Sequence, residues 1–335
     1  MASNMAWGVI STAKIGRKHV IPAMQNSALC RIDAIASRDL ATARTTADEL
    51  GIARAYGSYE ELLADPAIEA IYNPLPNHLH VPWTIKAMEA GKHVLCEKPI
   101  ALTAEEARLL IGARARTGKV VAEAFMVRQN PQWQRARDIV RSGEIGEVRA
   151  IQTMFSYFLT DPANVRNQAD IGGGGLMDIG CYAIATARYI FGAEPSRMVS
   201  VIDRDPQMHT DRLTSAILEF PGARHLTFTV STQMSPHQRV TIMGTTGRIE
   251  ILVPFNAPNQ RPCQIIVDDG RDLFGGGARV EDLPVNDQYA LQGDAFARVV
   301  RGEAELEFPI EDAVQNMRCI EAVFRSGATG QWTSP

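Results

Sequence analysis

Short apolar runs alternate with helix-like stretches over the first 126 residues. Trp7–Ile10, Ile32–Ser37, Ala67–Tyr72, His93–Leu95 and Val120–Phe125 have the length and Val/Ile/Ala character of buried strands. Helical segments run between them, from Ile15 to about Asn26 and over Asp39–Leu50, the second stopped by Gly51. Ser58-Tyr-Glu-Glu61 and Thr103-Ala-Glu-Glu106 are capping boxes that open two more helices. Gly91 and Gly118 stand where helix C-caps are expected. Strands separated by single helices need crossovers rather than hairpins. The pattern predicts a parallel, doubly wound α/β domain over residues 1–126.

Beyond Val127 the pattern changes. Two helices, Pro131–Arg141 and a glycine-initiated one over Gly175–Phe191, come first. Strand-like segments follow at Met198–Asp203, Leu213–Phe220, His225–Thr232, Val240–Met243, Ile249–Val253 and Gln264–Val267. Short turns such as Asp268-Asp-Gly270 join them, which favours antiparallel pairing. Gly244-Thr-Thr-Gly247 has no helix after it and reads as one of these turns, not a phosphate loop. Helices at about Tyr289–Arg301 and Glu311–Ser326 close the chain. Residues 127–335 are thus expected to form an α+β domain on a mostly antiparallel, open-faced sheet. An uncovered sheet face exposes apolar area, so a homodimer or homotetramer through this sheet is expected.

Composition narrows the function. With 335 residues, 45% hydrophobic and 21% charged, the chain is too apolar for disorder and long enough for two domains. Its 34 Lys+Arg are interspersed with 38 Asp+Glu for a net charge of −4, so no basic stripe serves nucleic acid. No apolar run reaches the roughly 18 residues of a membrane span. The opening Met1–Trp7 lacks the charged and apolar regions of a secretory leader. Five cysteines, odd in number and far apart, read as reduced thiols of a cytoplasmic protein rather than disulfides or zinc ligands.

Three segments point to a dinucleotide. Ser11-Thr-Ala-Lys-Ile-Gly16 follows the first strand and opens a helix, filling the slots of a Gly-x-Gly-x-x-Gly loop. Ser11, Thr12, Ala13, Ile15 and Gly16 are the candidate phosphate contacts, small enough at the key slots for close backbone approach. Ser37 and Arg38 end the second strand, where the adenosine ribose is read. Arg38 offers a cation to a 2′-phosphate, favouring NADP over NAD; the competing choice, Asp39 as ribose acid, fits better as a helix N-cap. Asn73, Pro74, Leu75, Asn77 and His78 lie on a proline-stiffened loop at a strand end, suited to the nicotinamide half. His78 and His80 lack a third ligand nearby, so helix capping or cofactor contact is expected of them, not metal.

Two further segments carry chemistry. Cys96-Glu-Lys-Pro99 puts an ammonium, Lys98, beside Glu97 at a strand end, with Pro99 allowing a cis peptide. Gly172-Gly-Gly-Gly175 precedes Asp178 and Tyr182, four apart and so on one helix face. A carboxylate and a phenol facing one way can grip a hydroxylated molecule and move its proton. A surface hydrogen bond beside a half-buried Tyr is the plainer alternative.

Taken together, Trp7-Gly-Val-Ile-Ser-Thr-Ala-Lys-Ile-Gly16, Glu97-Lys-Pro99, Asp178-x-x-x-Tyr182, Gly244-x-x-Gly247-Arg-Ile and Gly330-x-Trp332 resemble the Gfo/Idh/MocA oxidoreductases. The likeness runs nearly full length, toward the branch of NADP-dependent D-xylose dehydrogenases, dimeric dihydrodiol dehydrogenases and glucose–fructose oxidoreductase. It implies a Rossmann domain, a nicotinamide cofactor (NADP over NAD) and a carbohydrate or diol substrate. Tyr182 would carry the proton, Lys98 would activate it and ligate a hydroxyl, and Asp178 would hold a neighbouring hydroxyl. Glu97 would orient Lys98, with Arg128, Arg166 and Asn167 as rim contacts. A Tyr with its ordinary pKa of about 10 is a poor base near neutrality, and a nearby ammonium favours its phenolate. Met126-Val-Arg-Gln-Asn-Pro131 departs from the branch's Met-Tyr-Arg-x-His-Pro, so the substrate does not follow. A non-catalytic nucleotide sensor on the same scaffold is the alternative of another class, and intact Lys98, Asp178 and Tyr182 weigh against it.

Overall fold

Residues 4–335 are described in a computed structural model; Met1–Ser3, where the segment inspected for a leader begins, lie outside them. The chain forms two compact units. One holds the chain up to Met126 together with Asp287–Val314, the other Val127–Asn286 with Gln315–Pro335.

In the first unit β1 (Met5–Ile10), β2 (Cys30–Ala36), β3 (Arg54–Tyr56), β4 (Ala70–Asn73), β5 (His93–Cys96) and β6 (Val121–Glu123) form one sheet. Its order is β3-β2-β1-β4-β5-β6 and every pair is parallel. This is the doubly wound order, with the crossover point between β1 and β4. All six residues of β1 are buried, as both faces of a central parallel strand must be. A π-helical turn, Gly16–Val20, leads into α1 (Ile21–Gln25); α2 (Leu40–Leu50), α3 (Tyr59–Ala64), α4 (His80–Glu89) and α5 (Ala104–Thr117) follow. The capping boxes form as read: Ser58 Oγ accepts from Glu61 N and Thr103 Oγ1 from Glu106 N, each at 3.1 Å. The edge strand β3 was not expected. It is three half-buried residues, and its polar ends Arg54 and Tyr56 both bond Asp65 Oδ2.

The second unit begins with α6 (Pro131–Ser142) and α7 (Cys181–Phe191), with β7 (Val148–Phe158) between them. Its remaining strands are β8 (Arg197–Arg204), β9 (Asp211–Phe220), β10 (Arg224–Ser231), β11 (Gln233–Gly244), β12 (Arg248–Ile251), β13 (Cys263–Asp268) and β14 (Ala278–Leu283). The sheet order is β14-β13-β12-β11-β7-β10-β9-β8, antiparallel except for β7 with β10. β7 sits mid-sheet yet escaped the apolar pattern, because its inward set Ile151, Thr153, Phe155 is interrupted by a threonine. β14 is an edge strand whose Arg, Glu and Asp hide it from a hydrophobic scan and protect it from stray pairing. Gly244–Gly247 closes a tight turn, with Gly244 N donating to Gly247 O at 2.8 Å.

One sheet face stays open. Val201, Ile217 and Met243 are 76%, 42% and 40% exposed there, beside a concavity of about 530 Å3 whose lining includes none of the residues singled out for chemistry.

The chain order placed everything after Val127 in the second domain. The structure differs: α8 (Gln288–Val300) joins the first unit, with Phe296 packed on Trp7 at 5.2 Å between ring centres. α9 (Ile310–Thr329) follows. The five cysteines are free and buried, and no helix among the described residues is long and apolar enough to cross a membrane.

Candidate active site

The first unit offers a nucleotide cradle at the carboxyl ends of its strands. Ser11 has φ +139°, backbone that favours glycine. It therefore keeps the loop shape of the glycine it replaces, with strain on the order of 1–3 kcal/mol. Its Oγ accepts from Ala13 N at 3.0 Å, and the helix runs unbroken from Lys14 through the π-helical turn to Gln25. The amino-terminal end of that helix, with its positive partial charge, therefore lies at the Ser11–Ala13 loop, and Ile15 sits in its first turn. Gly16 is not sterically obligatory, since an added Cβ would meet nothing nearer than 3.7 Å.

At the end of β2, Asp39 caps α2, its Oδ2 accepting from Thr42 N at 2.9 Å. The hydrogen bonds from Thr42 lower its pKa. Ser37 Oγ accepts from Asp39 N, and Arg38 is exposed, with no acid bonded to it among the described residues.

The loop after β4 corrects one expectation. Asn73 is completely buried and its amide works internally: Nδ2 donates to His80 O and Thr84 Oγ1, and Oδ1 accepts from Leu75 N. Its side chain braces the loop. His80 also departs from the expectation of a cap or cofactor contact. Its ring is buried with Nδ1 2.8 Å from Pro99 O and Nε2 2.6 Å from Leu75 O, and burial pulls its pKa down to about 4. Pro74 and Leu75 are buried; Asn77 and His78 are half-buried on a short turn, and His78 Nδ1 is a buried nitrogen without a hydrogen-bond partner.

At the end of β5 the Lys98–Pro99 peptide is cis. Glu97 Oε1 accepts from Tyr72 Oη at 2.6 Å and Oε2 from Lys98 N at 3.3 Å. Glu97 thus holds the lysine through its backbone.

The second unit carries the other candidates. The glycine segment is a close-approach strap: a Cβ on Gly173 would lie 2.6 Å from Gln168 O, and one on Gly174 2.0 Å from Asp211 Oδ1. Gly174, at φ +120°, could not hold a side chain comfortably in any case. Asp211, fully buried at the start of β9, accepts from Leu176 N at 2.6 Å and so anchors the π-helical turn Leu176–Gly180 that bears Asp178. Asp178 Oδ2 accepts from Tyr157 Oη at 2.7 Å and from Arg166 Nε at 3.0 Å. Tyr182 opens α7 one turn later, 5% exposed, against the rings of Phe155 and Phe255.

Of the three rim residues, only Arg166 is solvent-accessible, with 42% of its side chain exposed. Arg128 is buried, and Asn167 is buried with Nδ2 donating to Asp161 O at 2.8 Å, so neither lies on a rim. Asn130, which replaces a histidine of the resembling pattern, is the N-cap of α6. Tyr157 was missed because β7 was missed; its alternation with Phe155 was the available signal. No group of three or more His, Cys, Asp or Glu is gathered for a metal among the described residues.

Burial raises the Asp211 carboxyl to about 6, opposed by the bonds from Leu176 and Thr214. Relative to an ordinary aspartate near 3.8, this corresponds to about 3 kcal/mol. Its folded form prefers the proton, so its stability contribution is full below about 3.8 and lost as pH rises through about 6. Asp211→Asn should therefore gain on the native protein as pH rises from 4 to 7, measured as a widening Tm difference. A constant difference would contradict the buried-carboxyl account.

Residues 5–125 match the oxidoreductase family with an NAD-binding Rossmann fold, and residues 133–250 match the GFO/IDH/MocA C-terminal domain. The chain belongs to the GFO/IDH/MocA oxidoreductase family. It is 49% identical over 326 residues to an uncharacterized oxidoreductase of Rhizobium meliloti, covering 97% of this chain and 98% of that one. It is 38% identical over 328 residues to a D-xylose 1-dehydrogenase (NADP(+)) of Haloferax volcanii, with the same coverage. Among solved structures, KijD10, a 3-ketoreductase from Actinomadura kijaniata in complex with NADP and TDP-benzene, superposes with TM-score 0.90 at 28% identity, over 97% of this chain and 98% of that one. This GFO/IDH/MocA chain is thus an NAD(P)-dependent oxidoreductase. Its residues fit a dinucleotide: the glycine-like backbone at Ser11, the unpaired Arg38 and the partnerless His78 Nδ1 are features that the fold alone does not explain.

Proposed function

We propose that this enzyme is an NADP-dependent sugar dehydrogenase that oxidises C1 of an aldose of the D-xylose or D-glucose type to its lactone. The 38% identity to the Haloferax D-xylose dehydrogenase, over nearly both full chains, carries this reading. The reverse chemistry on a keto sugar is the second reading, supported by the likeness to the ketoreductase KijD10. Oxidation of trans-dihydrodiols ranks behind them, supported by 33% identity over 274 residues to the mouse trans-1,2-dihydrobenzene-1,2-diol dehydrogenase.

In this reading Ser11, Thr12, Ala13, Ile15 and Gly16 hold the pyrophosphate, Ser37 and Arg38 the 2′-phosphorylated ribose. Pro74, Leu75, Asn77, His78 and Glu97 border the nicotinamide half. The nicotinamide, when bound, supplies the hydride acceptor or donor. Tyr182 takes the hydroxyl proton, Lys98 favours its phenolate and ligates the reacting oxygen, and Asp178 orients a neighbouring hydroxyl. Structures of KijD10 carry substitutions at a lysine and at a tyrosine separated by the same number of residues as Lys98 and Tyr182. The intact proton-transfer set favours an enzyme over a nucleotide sensor.

The deciding experiment follows reduced-nicotinamide absorbance with aldoses, diols and keto sugars, each with NADP(H) and NAD(H). Turnover of an aldose with NADP⁺ is expected; cofactor binding without turnover of any of them would overturn the enzyme reading. Arg38→Ala should weaken NADP(H) about ten- to hundredfold, as expected for losing charge-assisted hydrogen bonds, and leave NAD(H) nearly unchanged. Equal losses with both would contradict the phosphate role.

The reading also includes a homodimer or homotetramer through the open sheet face, whose exposed Val201, Ile217 and Met243 need a cover. Light scattering at micromolar concentration should give at least twice the chain mass, and a monomer would refute it. The five free thiols suit the reducing cytoplasm, where we place the enzyme.

A further inference from the structure

A closed ring of hydrogen bonds fixes Asp178. Arg166 Nε donates to Asp178 Oδ2 at 3.0 Å, Asp178 N donates to Gly174 O at 3.0 Å, and Gly174 N donates back to Arg166 O at 2.8 Å. Arg166 thus grips the glycine strap with its backbone and the carboxylate beyond the strap with its side chain. The ring is pinned from outside as well. Arg166 N donates to Asn164 Oδ1 at 3.1 Å. Gly174 is packed so closely on the Asp211 carboxylate that a Cβ would collide with it, and Asp211 accepts from Leu176 N at 2.6 Å. Tyr157 Oη supplies a second donor to Asp178 Oδ2 at 2.7 Å. Two donors from different elements converge on one oxygen, so turning the carboxylate misaligns both bonds. The Asp178 side chain nevertheless stays 15% exposed and the Arg166 side chain 42%. Ion pairs between partly exposed groups add little to stability, so the main consequence of this frame is a carboxylate held at one angle.

We propose that Arg166, together with Tyr157, is a positioning residue that holds Asp178 at a fixed angle and thereby makes the enzyme select the configuration of the hydroxyl at C2, next to the oxidised carbon. This rests on the sugar dehydrogenase reading, with Asp178 as the ligand of that hydroxyl. The argument is geometric. In two aldoses that are epimers at C2, the hydroxyl is equatorial on one pyranose ring and axial on the other. Its oxygen and its donor direction both move, and a hydrogen bond weakens steeply once its angle is lost. A carboxylate free to turn would follow the hydroxyl to either place. One that is held bonds a single epimer well and offers the other a poor contact. Removing Arg166 therefore costs the preferred epimer its alignment and leaves the disfavoured one nearly as it was.

The test is kcat/KM for oxidation with NADP⁺ of two C2-epimer pairs, D-xylose with D-lyxose and D-glucose with D-mannose. Arg166→Met should lower kcat/KM for the preferred member of a pair about tenfold, chiefly through KM, and change the other far less, so the epimer ratio shrinks several-fold. Tm and the Kd for NADP(H) should hold. In an Asp178→Ala background the same substitution should have almost no further effect, because no carboxylate is left to hold. An undiminished ratio in Arg166→Met would overturn the proposal. So would an equal loss in the native and Asp178→Ala backgrounds, which would mean that Arg166 acts on the sugar without Asp178. Should Arg166→Met fail to fold, Tyr157→Phe keeps the ring and removes the other donor to the same oxygen. A narrowed ratio in that variant then supports the proposal, and an unchanged one overturns it. If Asp178→Ala leaves both epimers untouched, or no aldose is turned over, the substrate reading falls and this inference with it. If Asp178→Ala collapses the ratio while Arg166→Met does not, only this inference falls.

Discussion

Lys98→Ala is expected to lower kcat by about 10²–10⁴-fold while the Kd for NADP(H) stays within a few-fold of the native value. That loss equals roughly 3–5 kcal/mol of transition-state stabilisation. It is large because the ammonium would serve two purposes at once, favouring the phenolate and ligating the oxygen on which charge develops. The backbone around Lys98 should survive the change. Its turn is held by Glu97, by the His80 ring on Pro99 O and by Ile100 N donating to Glu123 Oε1 at 2.8 Å, none of which uses the lysine side chain. Stopped-flow measurement of the hydride step separates this from slow product release. An unchanged chemical step would remove Lys98 from the mechanism.

Tyr182→Phe should be equally damaging to kcat, about 10²–10⁴-fold, and almost silent otherwise. The ring packs against Phe155 and Phe255, and a phenylalanine keeps those contacts, so Tm and cofactor affinity should hold. Full activity in this variant would mean that another group moves the proton. The Lys98 and Tyr182 losses should also be far from additive, because both act on the same proton.

Much of the first unit was legible because each parallel strand is a short apolar run bounded by punctuation. Ser58, Thr103 and Asp39 act as the caps that their spacing implied, and Gly118 takes the left-handed backbone expected after a helix, at φ +66°. In the second unit, hydrophobicity alone was a poorer guide. A half-open sheet shows one face to solvent, so β7 interleaves Gln152 and Met154 with its buried residues, and its one threonine breaks the pattern. Tyr157 disappeared with that strand. The internal bonds of Asn73 and Asn167 were illegible for a different reason. A polar side chain in a loop can equally bond a ligand or brace its own backbone, and only the positions of His80, Leu75 and Asp161 decide between these. Arg166 was named as a rim contact, whereas its pairing with Asp178 depends on a twelve-residue excursion of the chain.

The return of α8 to the first unit bears on how this enzyme can be dissected. A fragment ending at Met126 would strip Phe296 from Trp7 and lay bare the side of β1 and β2 on which α8 rests, together with Met24 and Cys30 beneath Gly293. Anyone wanting the nucleotide domain in isolation, for a cofactor sensor or a chimera, would have to splice Asp287–Val314 back on through an artificial linker.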